Sequence, residues 1–214
     1  KLATLPWVYQ HLEQFSHIVV LTAEGGANTQ GGLMFLDKQD TGKVFLHELS
    51  HWLGLVDEYP LKEEQQEQVC QTSYVSQVAL NLIIAKSSIP QAVVEQKVGK
   101  KLFPTNTCNN RQENNKSAAQ AYKLFEAMSF MEYLDVELSS DYSELIQNNV
   151  RWQNVKPVQL LFANALGEKN TTFKEIMWLI AAQFNNSESL FQLAQIKHKK
   201  NDNRAAETLL IRSA

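Results

Sequence analysis

The sequence predicts an α+β fold, in which a small sheet and an amphipathic helix come before an all-α helical-hairpin region. Three observations carry this reading. Residues 17–22 (HIVVLT) and 32–36 (GLMFL) are short apolar runs, the first β-branched, close together near the start of the chain. Phe45, Leu49, Trp52 and Leu53 then recur at helical spacing. After Asn154, helix and turn signals alternate to the end of the chain.

Taken in order, residues 7–15 read as a helix and residues 17–22 as a buried strand. Residues 23–28, with Gly25-Gly26, read as a turn or loop. Residues 32–36 are a second strand and residues 37–42 a turn. The helix that begins near Lys43 stops at Gly54, because glycine readily takes the left-handed conformation that closes helices. Residues 61–68 are charged and rich in glutamine, which predicts a solvated helix or loop; residues 73–100 hold apolar clusters without a clean period. Ala118, Ala121, Tyr122, Phe125 and Met128 predict a helix over residues 117–128. Another is expected over 139–146, capped by Ser140 or Asp141.

Beyond residue 154, segments 160–166 and 173–182 form one helical pair, and 189–198 and 204–213 a second, with Asn201-Asp202-Asn203 as its turn. These divide the chain into a first domain, 1–154, and a helical-repeat region, 155–214.

The hydrophobic fraction of 44% suffices for a real core. A net charge of -3 with no long run of one sign argues against nucleic acid or an anionic membrane surface as partner. Residues 197–200 (KHKK) read as a solvated helix end. No apolar run is long enough for a membrane span. Cys70 and Cys108 permit one disulfide or two buried thiols.

The chemistry centres on His47-Glu48-Leu49-Ser50-His51. Two histidines four residues apart on a helix share one face, where both imidazoles can reach a single ion at about 2.0–2.1 Å. Glu48 lies beside them, placed to take a proton from an activated water and deliver it to a leaving amine. Catalytic zinc usually keeps three protein ligands. Gly54 allows a sharp turn after His51, and Asp57 follows as a carboxylate able to complete the set; Glu58 is the rival at the next position.

Residues 47–57 resemble the metzincin zinc signature, HExxHxxGxxH/D, in the aspartate variant of snapalysin-like members. Ser129-Phe130-Met131-Glu132-Tyr133 is similar to the methionine turn, S-x-M-x-Y, of the same peptidases. The resemblance implies a zinc endopeptidase acting on protein or peptide substrates. It implies Zn2+ held by His47, His51 and Asp57, with Glu48 as general base. Met131 would be the apolar floor beneath the ligands and Tyr133 a donor to the oxyanion. It further implies an edge strand that binds extended substrate, expected at Gly32, Leu33 and Met34; the same residues also suit an internal strand. Residues 190–214 resemble a tetratricopeptide or Sel1-like repeat, which implies a protein partner docked through the helical region.

Two other readings stand beside this one. In the first, the chain is an interaction protein whose repeats dock a partner and whose zinc site is structural or vestigial. In the second, of the gluzincin type, the third ligand is a later glutamate, Glu63, Glu64 or Glu67. A free peptidase endangers a cytoplasm and the cysteines permit a disulfide, so the expected location is extracytoplasmic, secreted or periplasmic.

Overall fold

The computed structural model describes His11 and residues 14–108, 119–149, 156–166 and 171–213. Among these residues the chain is mixed α/β, with two small sheets and eight helices, in keeping with an α+β class. The helix expected at 7–15 lies largely outside the described residues. Two compact units emerge: Lys1–Leu53 with Val150–Ala214, and Gly54–Asn149.

In the first unit, β1 (Ile18–Thr22) and β3 (Leu33–Asp37) pair in parallel, and β2 (Asn28–Gln30) pairs antiparallel to β3. The sheet order is β1-β3-β2, so β3 is the central strand. Both of its faces are covered, since Leu33, Met34 and Leu36 are all buried. An uninterrupted apolar run is what a strand covered on both faces requires. Helix α1 (Gly42–Trp52) follows β3 and packs against β2 and β3. Gly54, with φ of +93°, supplies the left-handed residue just past its end.

The rest of the first unit is helical: α5 (Val158–Ala165), α6 (Thr171–Ala182), α7 (Ser187–Lys199) and α8 (Asn203–Ser213). They match the helical pairs expected from the sequence. Asn186 caps α7, its side chain accepting from the Ser189 amide, and Asp202 accepts from the Ala205 amide at the start of α8. The helices do not have a core to themselves. Leu33 of β3 lies in one apolar cluster with Val158, Leu160, Met177, Trp178, Leu190 and Leu193, and Ile18, Val20 and Phe35 pack against it. The region after residue 154 is therefore built onto the first sheet, and the boundary expected there does not separate two cores.

The join is close. The Val158 amide donates to the Ser16 carbonyl at 2.7 Å, while Ile18 donates to the Gly32 carbonyl at 2.8 Å. A Cβ on Gly32 would stand 2.1 Å from the Val158 nitrogen and 2.7 Å from the Ser16 carbonyl oxygen. Glycine is needed because main chain crosses main chain at this point.

The second unit holds an antiparallel sheet of order β4-β5-β7-β6, formed by β4 (Val75–Gln77), β5 (Leu82–Lys86), β6 (Phe103–Thr105) and β7 (Ala119–Lys123). It also contains α2 (Glu63–Val69), α3 (Gln91–Val98) and α4 (Ser140–Asn149). Strand β5 separates two apolar clusters. Ile83 and Ala85 face Val94, Leu102 and Tyr122, and Leu82 and Ile84 face Cys108 and Ala121. Cys70 and Cys108 are joined in a disulfide beside the second cluster.

Two expectations are corrected here. The segment expected as a helix over 117–128 contains strand β7, hydrogen-bonded to β5 on one side and β6 on the other. Ala121 and Tyr122 face opposite clusters, as adjacent residues of a strand do, and the helical spacing was coincidental. Alanine is a strong helix former, and pairing with β5 and β6 overrides that local preference. At α4 the cap is Ser139, one residue earlier than expected, with its hydroxyl accepting from the Tyr142 amide at 3.4 Å.

Candidate metal centre

Helix α1 turns a polar face inward. His47, Glu48 and Ser50 are buried and His51 is half-buried. Ser50 is satisfied locally, its hydroxyl donating to the Leu46 carbonyl one turn back at 2.7 Å. The imidazoles of His47 and His51 lie edge to face, with centroids 5.1 Å apart. One ligating atom from each of His47, Glu48 and His51 can be chosen so that all three lie within 4.8 Å of one another. The i, i+4 spacing thus delivers the convergence that the sequence suggested.

Glu48 supplies a test of whether a cation fits. It is only 6% exposed, and its Oε2 is buried without a hydrogen-bond partner among the described residues. A buried carboxylate oxygen left alone is costly, and a nearby cation or its water would remove the cost. The two imidazoles suit zinc and other divalent first-row metals, with the Glu48 carboxylate beside them.

The sheet holds α1 in place. The Thr29 hydroxyl of β2 donates to the Glu48 carbonyl at 3.1 Å, tying the outer strand to the helix at the glutamate itself. At the end of α1, the Trp52 ring packs on His17 with centroids 4.6 Å apart. Burial lowers the pKa of His17, which favours its neutral form.

Gly32, Leu33 and Met34 do not form an edge. Leu33 and Met34 begin the central strand and are buried, with main-chain partners on both sides, and Gly32 is the buried turn residue just before it. The outer strand next to β3 is β2, which among the described residues has a strand neighbour on one side only. Its sequence, NTQ, is too short and polar to carry a strand signal.

Asp57 and Glu58 belong to the second unit, and both are buried. They differ in what holds them. The Asp57 carbonyl accepts from the Thr107 hydroxyl at 3.2 Å. The Glu58 carboxylate accepts from three donors of its own unit. Its Oε1 accepts from Asn81 Nδ2 at 2.8 Å and from the Tyr142 hydroxyl, and its Oε2 accepts from the Ser129 hydroxyl at 2.6 Å. Lys123 Nζ stands 3.9 Å from Oε2 and bonds Glu132 at 2.7 Å. Burial and the Glu58 charge raise the Tyr142 pKa well above the usual phenol value, so it stays a neutral donor. The Glu58 carboxylate is thus committed to structure. Glu63, Glu64 and Glu67 are exposed on α2.

The segment 129–133 forms a tight turn in which the Glu132 and Tyr133 amides each donate to the Ser129 carbonyl at 3.0 Å. Met131 is completely buried, and its carbonyl accepts from the Glu58 amide at 3.0 Å. Tyr133 is 55% exposed. Asn81, Thr105, Thr107 and Tyr142 drew no attention in the sequence. Each is a single polar residue whose partner lies far along the chain, so no local pattern marks it.

No protein-family model, curated protein or solved structure matches this chain.

Proposed function

We propose that this protein is a zinc-dependent endopeptidase. The observation that carries the reading is the cluster of His47, Glu48 and His51 on the buried face of α1, with one Glu48 oxygen lacking a protein partner. His47 and His51 would hold the metal, each through one ring nitrogen. Asp57, three residues after Gly54, is the third ligand that the resemblance of residues 47–57 implies; the convergent group itself holds His47, Glu48 and His51. When bound, zinc polarises the scissile carbonyl and acidifies the attacking water.

Glu48 removes a proton from that water and passes it to the departing amine. Its buried position suits this, because a base shielded from bulk solvent keeps the proton for the leaving group. Tyr133, with its exposed phenol, donates to the developing oxyanion. The substrate runs beside β2, where main-chain groups of residues 28–30 accept an extended peptide as an added strand. The Cys70–Cys108 disulfide supports an extracytoplasmic location. Among the described residues, no helix is long and apolar enough to cross a membrane.

The test is metal content together with cleavage of an unfolded protein substrate. Hydrolysis that a chelator abolishes and zinc restores is the expected result. Undiminished hydrolysis in the chelated, metal-free protein would refute the proposal. So would a purified protein that binds no divalent metal.

A further inference from the structure

We propose that Thr29 is a positioning residue for Glu48. Its hydroxyl holds β2, the strand beside which the substrate lies, in register with the main chain of the base. This role rests on the endopeptidase reading given above, with β2 as the strand that pairs with substrate.

Strand β2 has three residues, and none of Asn28, Thr29 and Gln30 is apolar. So short a strand has little pairing of its own to fix it. It runs antiparallel to β3, with Thr29 opposite Met34. Leu33 and Phe35 face the apolar cluster of the C-terminal helices, so Met34 and Thr29 face the opposite side of the sheet. Helix α1 packs on that side. Asn28 and Gln30 are exposed, while Thr29 is half-buried.

The Thr29 hydroxyl donates to the Glu48 carbonyl at 3.1 Å. Glu48 lies inside α1, where its carbonyl is turned to the amide four residues on. A carbonyl has two lone pairs, so the threonine is a second donor and the helix does not need it. Valine has nearly the shape of threonine, so filling the space does not call for a hydroxyl either. What the hydroxyl adds is a link between two frames. A substrate paired with β2 takes its place from β2, and the proton acceptor takes its place from α1. A misplacement of about 1 Å between reacting groups can cost about 10²-fold in rate. Removing one hydrogen bond loosens the link by less, and should cost about two- to tenfold.

The variants are Thr29→Val, Thr29→Ser and Thr22→Val. Thr22 is the control. Its hydroxyl donates to the Leu36 carbonyl at 3.2 Å from the other outer strand, β1, and so joins strand to strand without α1. Hydrogen exchange of the metal-free protein reads the link itself. Thr29→Val should speed exchange over residues 28–30 by about two- to tenfold, and the other two variants should exchange there as the parent does.

Turnover by the zinc-loaded protein reads the consequence. Two peptides are compared, both built around one bond that the parent cleaves in an unfolded protein. One is long enough to pair with β2, and the other is trimmed on both sides of that bond so that it cannot. On the long peptide, Thr29→Val should lower kcat by about two- to tenfold with KM within about twofold of the parent's, and Thr29→Ser should keep the parent's kcat. On the trimmed peptide, Thr29→Val and the parent should turn over alike, because that substrate takes nothing from β2.

Unchanged kcat on the long peptide overturns the proposal, and so does unchanged exchange over residues 28–30. An equal loss on both peptides, or an equal loss in Thr22→Val, overturns it as well, since either makes the hydroxyl a general support of the fold. If the parent's hydrolysis survives chelation, the endopeptidase reading fails and this role fails with it, whatever the exchange shows. Should Thr29→Val not fold, Thr29→Ala takes its place in every comparison.

Discussion

Replacing Glu48 by glutamine should make the metal-free protein more stable and the zinc-loaded protein nearly inactive. The two signs are opposed because the same buried oxygen causes both. Glu48 is 6% exposed and its Oε2 has no hydrogen-bond partner among the described residues. A buried polar group left unpaired costs about 1–3 kcal/mol, and more when charged. The neutral amide should recover about 1–2 kcal/mol of this in the metal-free state. In a chain of this length, each kcal/mol moves a melting midpoint by about 2–4 °C, so a rise of about 2–8 °C is expected. Loss of the general base should lower kcat by about 10²–10⁴, or roughly 3–5 kcal/mol on the barrier. Zinc content should hold, since the glutamate is not among the proposed ligands. Calorimetry of the chelated protein, metal analysis and turnover on an unfolded substrate supply the three readouts. A midpoint equal to or below the parent's would refute the account of Glu48 Oε2 as a costly unpartnered oxygen. Activity above about a tenth of the parent's would refute its role as base.

Gly32→Ala should destabilise the first unit by about 3 kcal/mol or more, since the added carbon meets the Val158 nitrogen at 2.1 Å. Gly26→Ala, with nothing within 4 Å, should stay within about 0.5 kcal/mol of the parent in the same denaturant titration. Replacing Cys70 and Cys108 together by serine opens a loop of sequence separation 38, which the chain-entropy relation values at about 4 kcal/mol. Urea unfolding of the second unit should show that loss, and a shift under about 1 kcal/mol would refute it. Burial lowers the folded-state pKa of His17 below its ordinary value of 6.5. Its neutral ring therefore stabilises the fold fully above that value. As the pH falls through 6.5 toward the folded pKa, the unfolded chain takes the proton first and the contribution is lost. His17→Gln should flatten that part of the stability profile between about pH 5 and pH 7, and an unchanged slope would show that His17 does not contribute.

The parts of this chain that could be read in advance are those whose physics is local. Helical spacing placed α1 and the four C-terminal helices, and a β-branched run placed β1. The convergence of His47 and His51 follows from one helical turn, so a five-residue motif was enough to expect it. What could not be read depends on pairing at a distance. Strand β7 has alanines and a tyrosine at intervals that suit a helix, and only β5 and β6 on its two sides make it a strand. The polar triplet of β2 becomes a strand by pairing with β3. The buried run of residues 33–36 suited an edge or an interior strand equally, and the neighbour on each side decided it. The same holds for the join at Gly32, where the two crossing segments are far apart in sequence.

The choice between Asp57 and Glu58 shows how a question of spacing becomes one of hydrogen bonds. Adjacent carboxylates offer almost the same reach in sequence. The partners of Glu58 lie 23, 71 and 84 residues away, which puts them beyond any motif. A carboxylate has about four lone-pair positions, and three here are taken by donors that are themselves buried. For Glu58 to bind a metal, Asn81, Ser129 or Tyr142 would have to give up its acceptor and remain inside the protein without one. Each such loss costs about 1–3 kcal/mol. Burial alone does not separate the two residues, since both are nearly inaccessible. The Glu58 carboxylate ties together Asn81 just ahead of β5, the turn at Ser129 and helix α4.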